Sequence, residues 1–184
     1  MWSFSRTRRS IGTFGKGKAM VFGMSLEAYT VVHTILSLIG IAAGLIALAG
    51  MLGGKLLKTW TWIFLFTTIL TSVTGFGFPV TGLMPSHIFG AISLVVLAIA
   101  LYALYGRKLS GAWRWIYVVT ALIALYLNSF VGVVQAFQKL PPLQPLAPAQ
   151  SEPPFQIAQL ALLLVFIVLG FLAVRKFHPE RMGA

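Results

Sequence analysis

Residues 26–52 read LEAYTVVHTILSLIGIAAGLIALAGML, an apolar stretch with a single charged side chain, Glu27. The hydrocarbon core of a bilayer is about 30 Å thick, and an α-helix needs about 20 residues to cross it. Four further apolar stretches follow, near residues 60–80, 87–105, 113–137 and 155–174. We therefore predict an all-α integral membrane protein, a bundle of five transmembrane helices.

Composition supports this prediction and argues against several classes of protein. Of the 184 residues, 58% are hydrophobic and 9% are charged, whereas soluble domains carry about 25% charged residues. The chain contains no cysteine, which excludes disulfides, thiolate metal sites and cysteine nucleophiles. Its 3 carboxylate side chains are too few for the catalytic ensemble of a serine or acid–base hydrolase.

The net charge of +11 lies at the ends of the apolar stretches. Lipid phosphates attract cations in this position, so we expect a lipid bilayer and no nucleic acid as partner. Beyond the first twenty or so residues, Lys139 lies on one side of the predicted bundle, and the other side carries Lys55, Lys58, Arg107, Lys108, Arg114, Arg175, Lys176 and Arg181. The positive-inside rule then predicts an N-out/C-in orientation.

The chain divides into a basic arm over residues 1–23 and a transmembrane domain over residues 24–178, which contains a proline-rich extracytoplasmic loop at residues 138–154. The arm conflicts with the predicted orientation, because its cations would lie outside. Three explanations stay open: an upstream extension or disordered segment, a cytoplasmic arm that reverses the orientation, or an extracytoplasmic arm held by a partner. The charge distribution favours the first.

Glycines recur four residues apart in the first apolar stretch, as Gly40–Gly44 and Gly50–Gly54. Small residues at this spacing let helix backbones approach closely in lipid. We interpret both pairs as helix-packing positions.

The candidate polar side chains within the predicted spans fall in the extracytoplasmic half of the bundle, and the cytoplasmic halves carry few. Such groups are costly in hydrocarbon, and they tend to mark a site or a water-filled cavity. The set comprises His33, Thr71, Ser72, Thr74, His87, Asn128, Ser129, Gln135, Gln156 and Gln159, with Glu152 just outside.

His33 and His87 are the candidate cofactor ligands. They lie in the first and third spans, which run parallel, and both are near helix N-termini, where the dipole disfavours imidazolium. Neutral imidazole is the form that binds metal. The pair is compatible with bis-histidine haem b, or with a copper or zinc site if Glu152 folds inward.

Thr74, Asn128 and Gln135 are the expected hydrogen-bonding groups around this cofactor, and a quinone could approach from the lipid. Two other interpretations stay open. Each histidine could bond a neighbouring backbone carbonyl or Asn128 and have a structural role alone, or the pair could form a proton or quinone site. His178 follows the fifth span, and we expect it to be solvated.

Four strings of sequence carry a resemblance: LTSVTGFGFP (70–79), LMPSHIFGAISLVVLAIALYA (83–103), GAWRWIYV (111–118) and APAQSEPPF (147–155). Over roughly residues 24–177 the chain resembles a family of small, uncharacterised bacterial polytopic inner-membrane proteins. The resemblance implies a multi-pass protein of the bacterial inner membrane with a native start near Met24, and it implies no activity. The architecture is also similar to that of small haem-b membrane cytochromes that exchange electrons with quinone.

Three functions are compatible with these observations. The leading hypothesis is a membrane protein that binds haem b or a metal near the extracytoplasmic face. The alternative is a non-catalytic accessory subunit of a larger membrane complex. The third is a small transporter or channel, although the spans show no inverted repeat and few polar residues in their cytoplasmic halves.

Overall fold

The computed structural model describes residues 20, 21, 23–79 and 85–179, with residues 85 and 86 described by their backbone alone. Within these ranges the chain is a bundle of five helices, which confirms the prediction of a helical architecture. The helices are α1 (Leu26–Leu52), α2 (Lys58–Gly75), α3 (Pro85–Leu101), α4 (Trp113–Lys139) and α5 (Pro153–Lys176). A π-helix over Tyr102–Gly106 extends α3, and a 3₁₀ turn over Gln144–Leu146 precedes α5.

A short hairpin departs from the all-α prediction. The strands β1 (Met20–Val21) and β2 (Met24–Ser25) pair antiparallel directly before α1. Gly23 has a φ of 78° in the turn between them, a conformation that glycine adopts without strain. The rest of the predicted basic arm, residues 1–19 and 22, lies outside the described residues.

Four of the helices are long and apolar enough to cross a membrane, which indicates a membrane protein: Leu26–Leu52, His87–Gly106, Trp113–Lys139 and Pro153–Lys176. The remaining helix, α2, contains 18 residues. Lys58, two tryptophans and repeated threonines make it less apolar than the other four.

Two of the differences between the helix boundaries and the predicted spans have reasons in backbone chemistry. The second predicted span ends near residue 80, but α2 ends at Gly75 because the chain then forms tight turns, with Phe76 N–H bonding Val73 O and Gly77 N–H bonding Thr74 O. The fifth predicted span begins at residue 155, whereas α5 begins at Pro153. Proline is tolerated in a first helical turn, where its missing N–H has no intrahelical partner.

Successive helices run in alternate directions, which gives the bundle two chemically different ends. At one end, where α1, α3 and α5 begin, the Tyr29 hydroxyl donates to Thr74 O at 2.6 Å and so joins α1 to the end of α2. We call this the polar end. At the other, Arg114 donates to the carbonyls of Val174 and Phe177 and joins the start of α4 to the end of α5. We call this the basic end.

Gly40 and Gly44 are packing positions, as predicted. A Cβ on Gly44 would lie 2.5 Å from Leu125 Cδ1 and 2.8 Å from Phe64 Cδ2, so α1 approaches both α2 and α4 here. The second pair behaves differently. Gly50 is buried against Leu57, but Gly54 follows the end of α1 with a φ of 74°, so it serves a turn and not a helix face.

Replacement of Gly44 by alanine tests this packing. We expect Gly44→Ala to lower the free energy of unfolding by about 1–3 kcal/mol, because its methyl group would overlap Phe64 and Leu125. Gly170→Ala is the matched control, since its Cβ would lie 3.6 Å from Leu122 Cδ1, an ordinary contact. Thermal unfolding in detergent measures both variants. Equal stability of the two would contradict close packing at Gly44.

Candidate functional site

A cavity of about 500 Å³ lies at the polar end, between α1 and α4. It is lined mainly by apolar side chains and glycines, with hydroxyl, imidazole, amide and ammonium groups among them. Ligand and cofactor sites commonly have this size and this mixture of groups. We call it the larger cavity.

His33 enters the larger cavity from α1 and is fixed by a hydrogen bond to α2. Its Nδ1 lies 2.9 Å from Thr74 Oγ1, and the Thr74 hydroxyl lies 2.7 Å from Leu70 O in the preceding turn. A threonine in a helix commonly donates its one proton to that carbonyl. We therefore assign the donor role in the first contact to His33 Nδ1–H, which leaves a lone pair on Nε2.

A small aromatic group holds this arrangement in place. The Phe78 ring meets His33 edge-to-face at a centroid distance of 5.1 Å and meets Tyr29 at 5.0 Å. Tyr29 in turn holds the end of α2 through Thr74 O. Gly75 lies beside the imidazole, and a Cβ at that position would make an ordinary contact, 3.8 Å from His33 Cε1.

His87 reaches the same cavity from the start of α3. Its ring stacks on Phe76 with a centroid distance of 5.5 Å and an interplanar angle of 13°. The structure thus brings His33 and His87 to the lining of one cavity, although they are far apart in the sequence. A role of either as a cofactor ligand stays a prediction.

Asn128 lies deeper in the bundle and pairs with Ser37. It is 8% exposed. Its Oδ1 accepts from Ser37 Oγ at 2.7 Å, and its Nδ2 donates to Ser37 O at 3.3 Å. Asn128 lines a second cavity of about 90 Å³, which we call the smaller cavity. Gln135 lines the larger cavity, and its amide donates to Gln138 Oε1 at 3.3 Å.

Glu152 binds the backbone of its own loop. Its carboxylate accepts from Ala149 N–H at 2.9 Å and from Ser151 N–H at 3.0 Å. The Ala149 hydrogen bond, with smaller contributions from neighbouring backbone groups, lowers the pKa of Glu152 below its usual range. Glu152 is not among the described residues that line the larger cavity, and in the described ranges no group of three or more His, Cys, Asp or Glu could hold a metal ion.

Other residues at this site were not expected from the sequence. Lys139 at the end of α4 lines the larger cavity and is the one cation among the described residues there. Tyr29, His33 and Ser37 follow one another at intervals of four on α1, so they share one helix face. That spacing is visible in the sequence, and it could have pointed to Tyr29 and Ser37.

Comparison of the chain with protein-family models, curated proteins and solved structures finds no match. The resemblance to a bacterial inner-membrane family is therefore still an expectation. The candidate site rests on the geometry of the two cavities.

The Ser37–Asn128 pair has a measurable interaction energy. In membrane proteins, interhelical hydrogen bonds contribute about 0.6 kcal/mol on average and up to about 1.7 kcal/mol. We expect a double-mutant cycle of Ser37→Ala and Asn128→Ala to give a coupling energy in this range, measured by unfolding in detergent. The control cycle of Gln135→Ala and Gln138→Ala should give a coupling near zero, because that contact is exposed. Equal coupling in both cycles would contradict the assignment.

Proposed function

We propose that this chain is an integral protein of the bacterial inner membrane that holds haem b in the larger cavity, where His33 and His87 would bind the iron. Haem b bound there would supply one-electron transfer, with quinone as the redox partner. The observation that carries the proposal is that both histidines, from two different helices, line the same cavity of about 500 Å³.

The surroundings of His33 support a ligand role. A histidine that binds a metal usually donates its second ring N–H to a fixed acceptor, which sets the tautomer and the ring orientation. Thr74 Oγ1 provides such an acceptor at 2.9 Å from Nδ1, and Nε2 is left for the iron. In the lining of the same cavity, the Lys139 ammonium group suits an anionic substituent such as a haem propionate.

Absorption spectroscopy of the protein purified from a haem-supplied host tests the proposal. We expect a b-type Soret band that shifts on reduction with dithionite. His33→Ala and His87→Ala should each abolish the bis-histidine spectrum. His178→Ala is the control, because His178 is exposed beyond the end of α5 and contacts Lys176 O. No Soret band, together with no bound metal by mass spectrometry, would contradict the proposal.

A second candidate function is that of an accessory subunit. The observation that favours it is the exposure of α5, since 17% of its most apolar window is buried inside the chain. Such a helix offers a long apolar face to a neighbouring subunit or to lipid. This function predicts that His33→Ala and His87→Ala leave assembly with the neighbour intact, while charged substitutions at Ile157 or Leu164, both exposed on α5, abolish it.

We propose that α2 also crosses the membrane and completes five spans. α1 and α3 both run from the polar end to the basic end, so the chain must return between them. At 18 residues, α2 is about 27 Å long at the usual helical rise, which is close to the thickness of the hydrocarbon core. Its buried threonines face neighbouring helices and so avoid the lipid.

We assign the basic end to the cytoplasm, which makes the orientation N-out/C-in. The described cations at that end include Lys55, Arg107, Lys108, Arg175 and Lys176, whereas Lys139 lies at the polar end. Retention of cations on the cytoplasmic side favours this orientation.

Cysteine labelling tests the orientation cleanly, because the chain has no cysteine of its own. Gln144→Cys places a thiol in the proline-rich loop, and Ser110→Cys places one at the basic end; both positions are exposed. We expect a membrane-impermeant maleimide to label Gln144→Cys in intact spheroplasts and Ser110→Cys only after lysis. The reverse pattern would overturn the orientation.

A further inference from the structure

The smaller cavity, about 90 Å³ in volume, is lined by residues of α1, α2, α3 and α4. It adjoins the larger cavity, because His33, Ser37, Gly75 and Val131 line both. Most of its lining surface is apolar, and polar side chains come from His33, Ser37, Thr68, Thr71, Ser72, Ser93 and Asn128.

Thr68 is the most informative of these residues. It is 1% exposed, and its Oγ1 has no hydrogen-bond partner among the described residues. The neighbouring threonines on α2 satisfy their hydroxyls locally, Thr67 on Ile63 O at 2.7 Å and Thr71 on Thr67 O at 2.9 Å. A buried hydroxyl without a partner is costly, so the Thr68 hydroxyl is a candidate to bond a small molecule in the cavity.

Gly40 on α1 lies beside both Thr68 and Asn128. A Cβ at this position would lie 3.1 Å from Thr68 Oγ1 and 3.1 Å from Asn128 Nδ2. The amide nitrogen of Asn128 carries two hydrogens, and among the described residues it has one acceptor, the Ser37 carbonyl. The unsatisfied hydroxyl and the second amide hydrogen therefore belong to two residues that line the smaller cavity.

We infer that the smaller cavity is an internal water site, which holds about three ordered waters at the volume that water occupies in the liquid. One of these waters bonds Thr68 Oγ1 and Asn128 Nδ2, and the others continue along the hydroxyls toward His33. The waters enter from the larger cavity through the lining that the two share.

Water fits this site better than a cation does. No aspartate or glutamate lines the smaller cavity among the residues that the structure describes. A bare cation in an apolar bundle needs a compensating charge, whereas water needs two to four polar partners, which the lining provides.

The occupancy of the site by water does not depend on the proposed haem function. The absorption spectrum tests the haem, and the experiment below tests the water, so either can fail without the other.

Solid-state NMR of the full chain in lipid bilayers measures water contact directly. We expect polarisation to pass from water to Thr68, Ser93 and Asn128 several-fold faster than to lipid-facing residues such as Val168, which is exposed on α5. Transfer to the three residues as slow as to Val168 would show a dry cavity and overturn the inference. The measurement is first made with choline as the buffer cation and is then repeated with sodium or potassium. Loss of the fast transfer in sodium or potassium would also overturn the inference, in favour of a cation site.

The isosteric variant Thr68→Val provides a second measurement. If water bonds the hydroxyl, its removal should lower the unfolding midpoint and slow water transfer to Asn128. If the cavity is dry, removal of an unsatisfied hydroxyl should raise the midpoint, which overturns the inference. Thr120→Val is the control, because Thr120 is 9% exposed and bonds Ile116 O at 2.8 Å outside the cavity, so its midpoint should fall less than that of Thr68→Val.

Discussion

Close approach of α1 to α2 and α4 depends on the absence of side chains at Gly40 and Gly44. Between helices in lipid the hydrophobic drive is lost, and van der Waals packing takes its place. A Cβ at Gly44 would overlap Leu125 and Phe64, and one at Gly40 would crowd Asn128 and Thr68. The two glycines therefore set the separation of three helices, and they bring the Asn128 amide within reach of Ser37 on α1.

Toward the polar end, the side chains on this face of α1 become larger and more polar. Ser37, His33 and Tyr29 follow the glycines along one face of α1. Each has a partner on another helix, Ser37 on α4 and the other two on α2. These contacts satisfy polar groups that would otherwise be costly in hydrocarbon. They also leave space between α1 and α4, and this space forms the larger cavity.

How far the site could be predicted differs from residue to residue. His33 and His87 were chosen for their ligand chemistry and their common end of the bundle, and the structure places both on one cavity. Asn128 was expected beside the histidines; it pairs with Ser37 and lines the smaller cavity, which His33 also lines. Glu152 was considered as a metal ligand, yet its oxygens accept from the backbone of its own loop, because that contact closes within a few residues and needs no inward folding.

The sequence by itself determined the helical class, the presence of helices long and apolar enough to cross a membrane, and the gathering of most cations beyond the basic arm at one end. These properties depend on the composition and length of each stretch of sequence, and both can be read without knowing how the helices pack. Only the tertiary structure decided which polar groups meet. Contacts such as His33 with Thr74 and Ser72 with Ser93 depend on how each helix is rotated about its axis. Helices such as α5, apolar on nearly every side, carry little periodicity from which that rotation could be predicted.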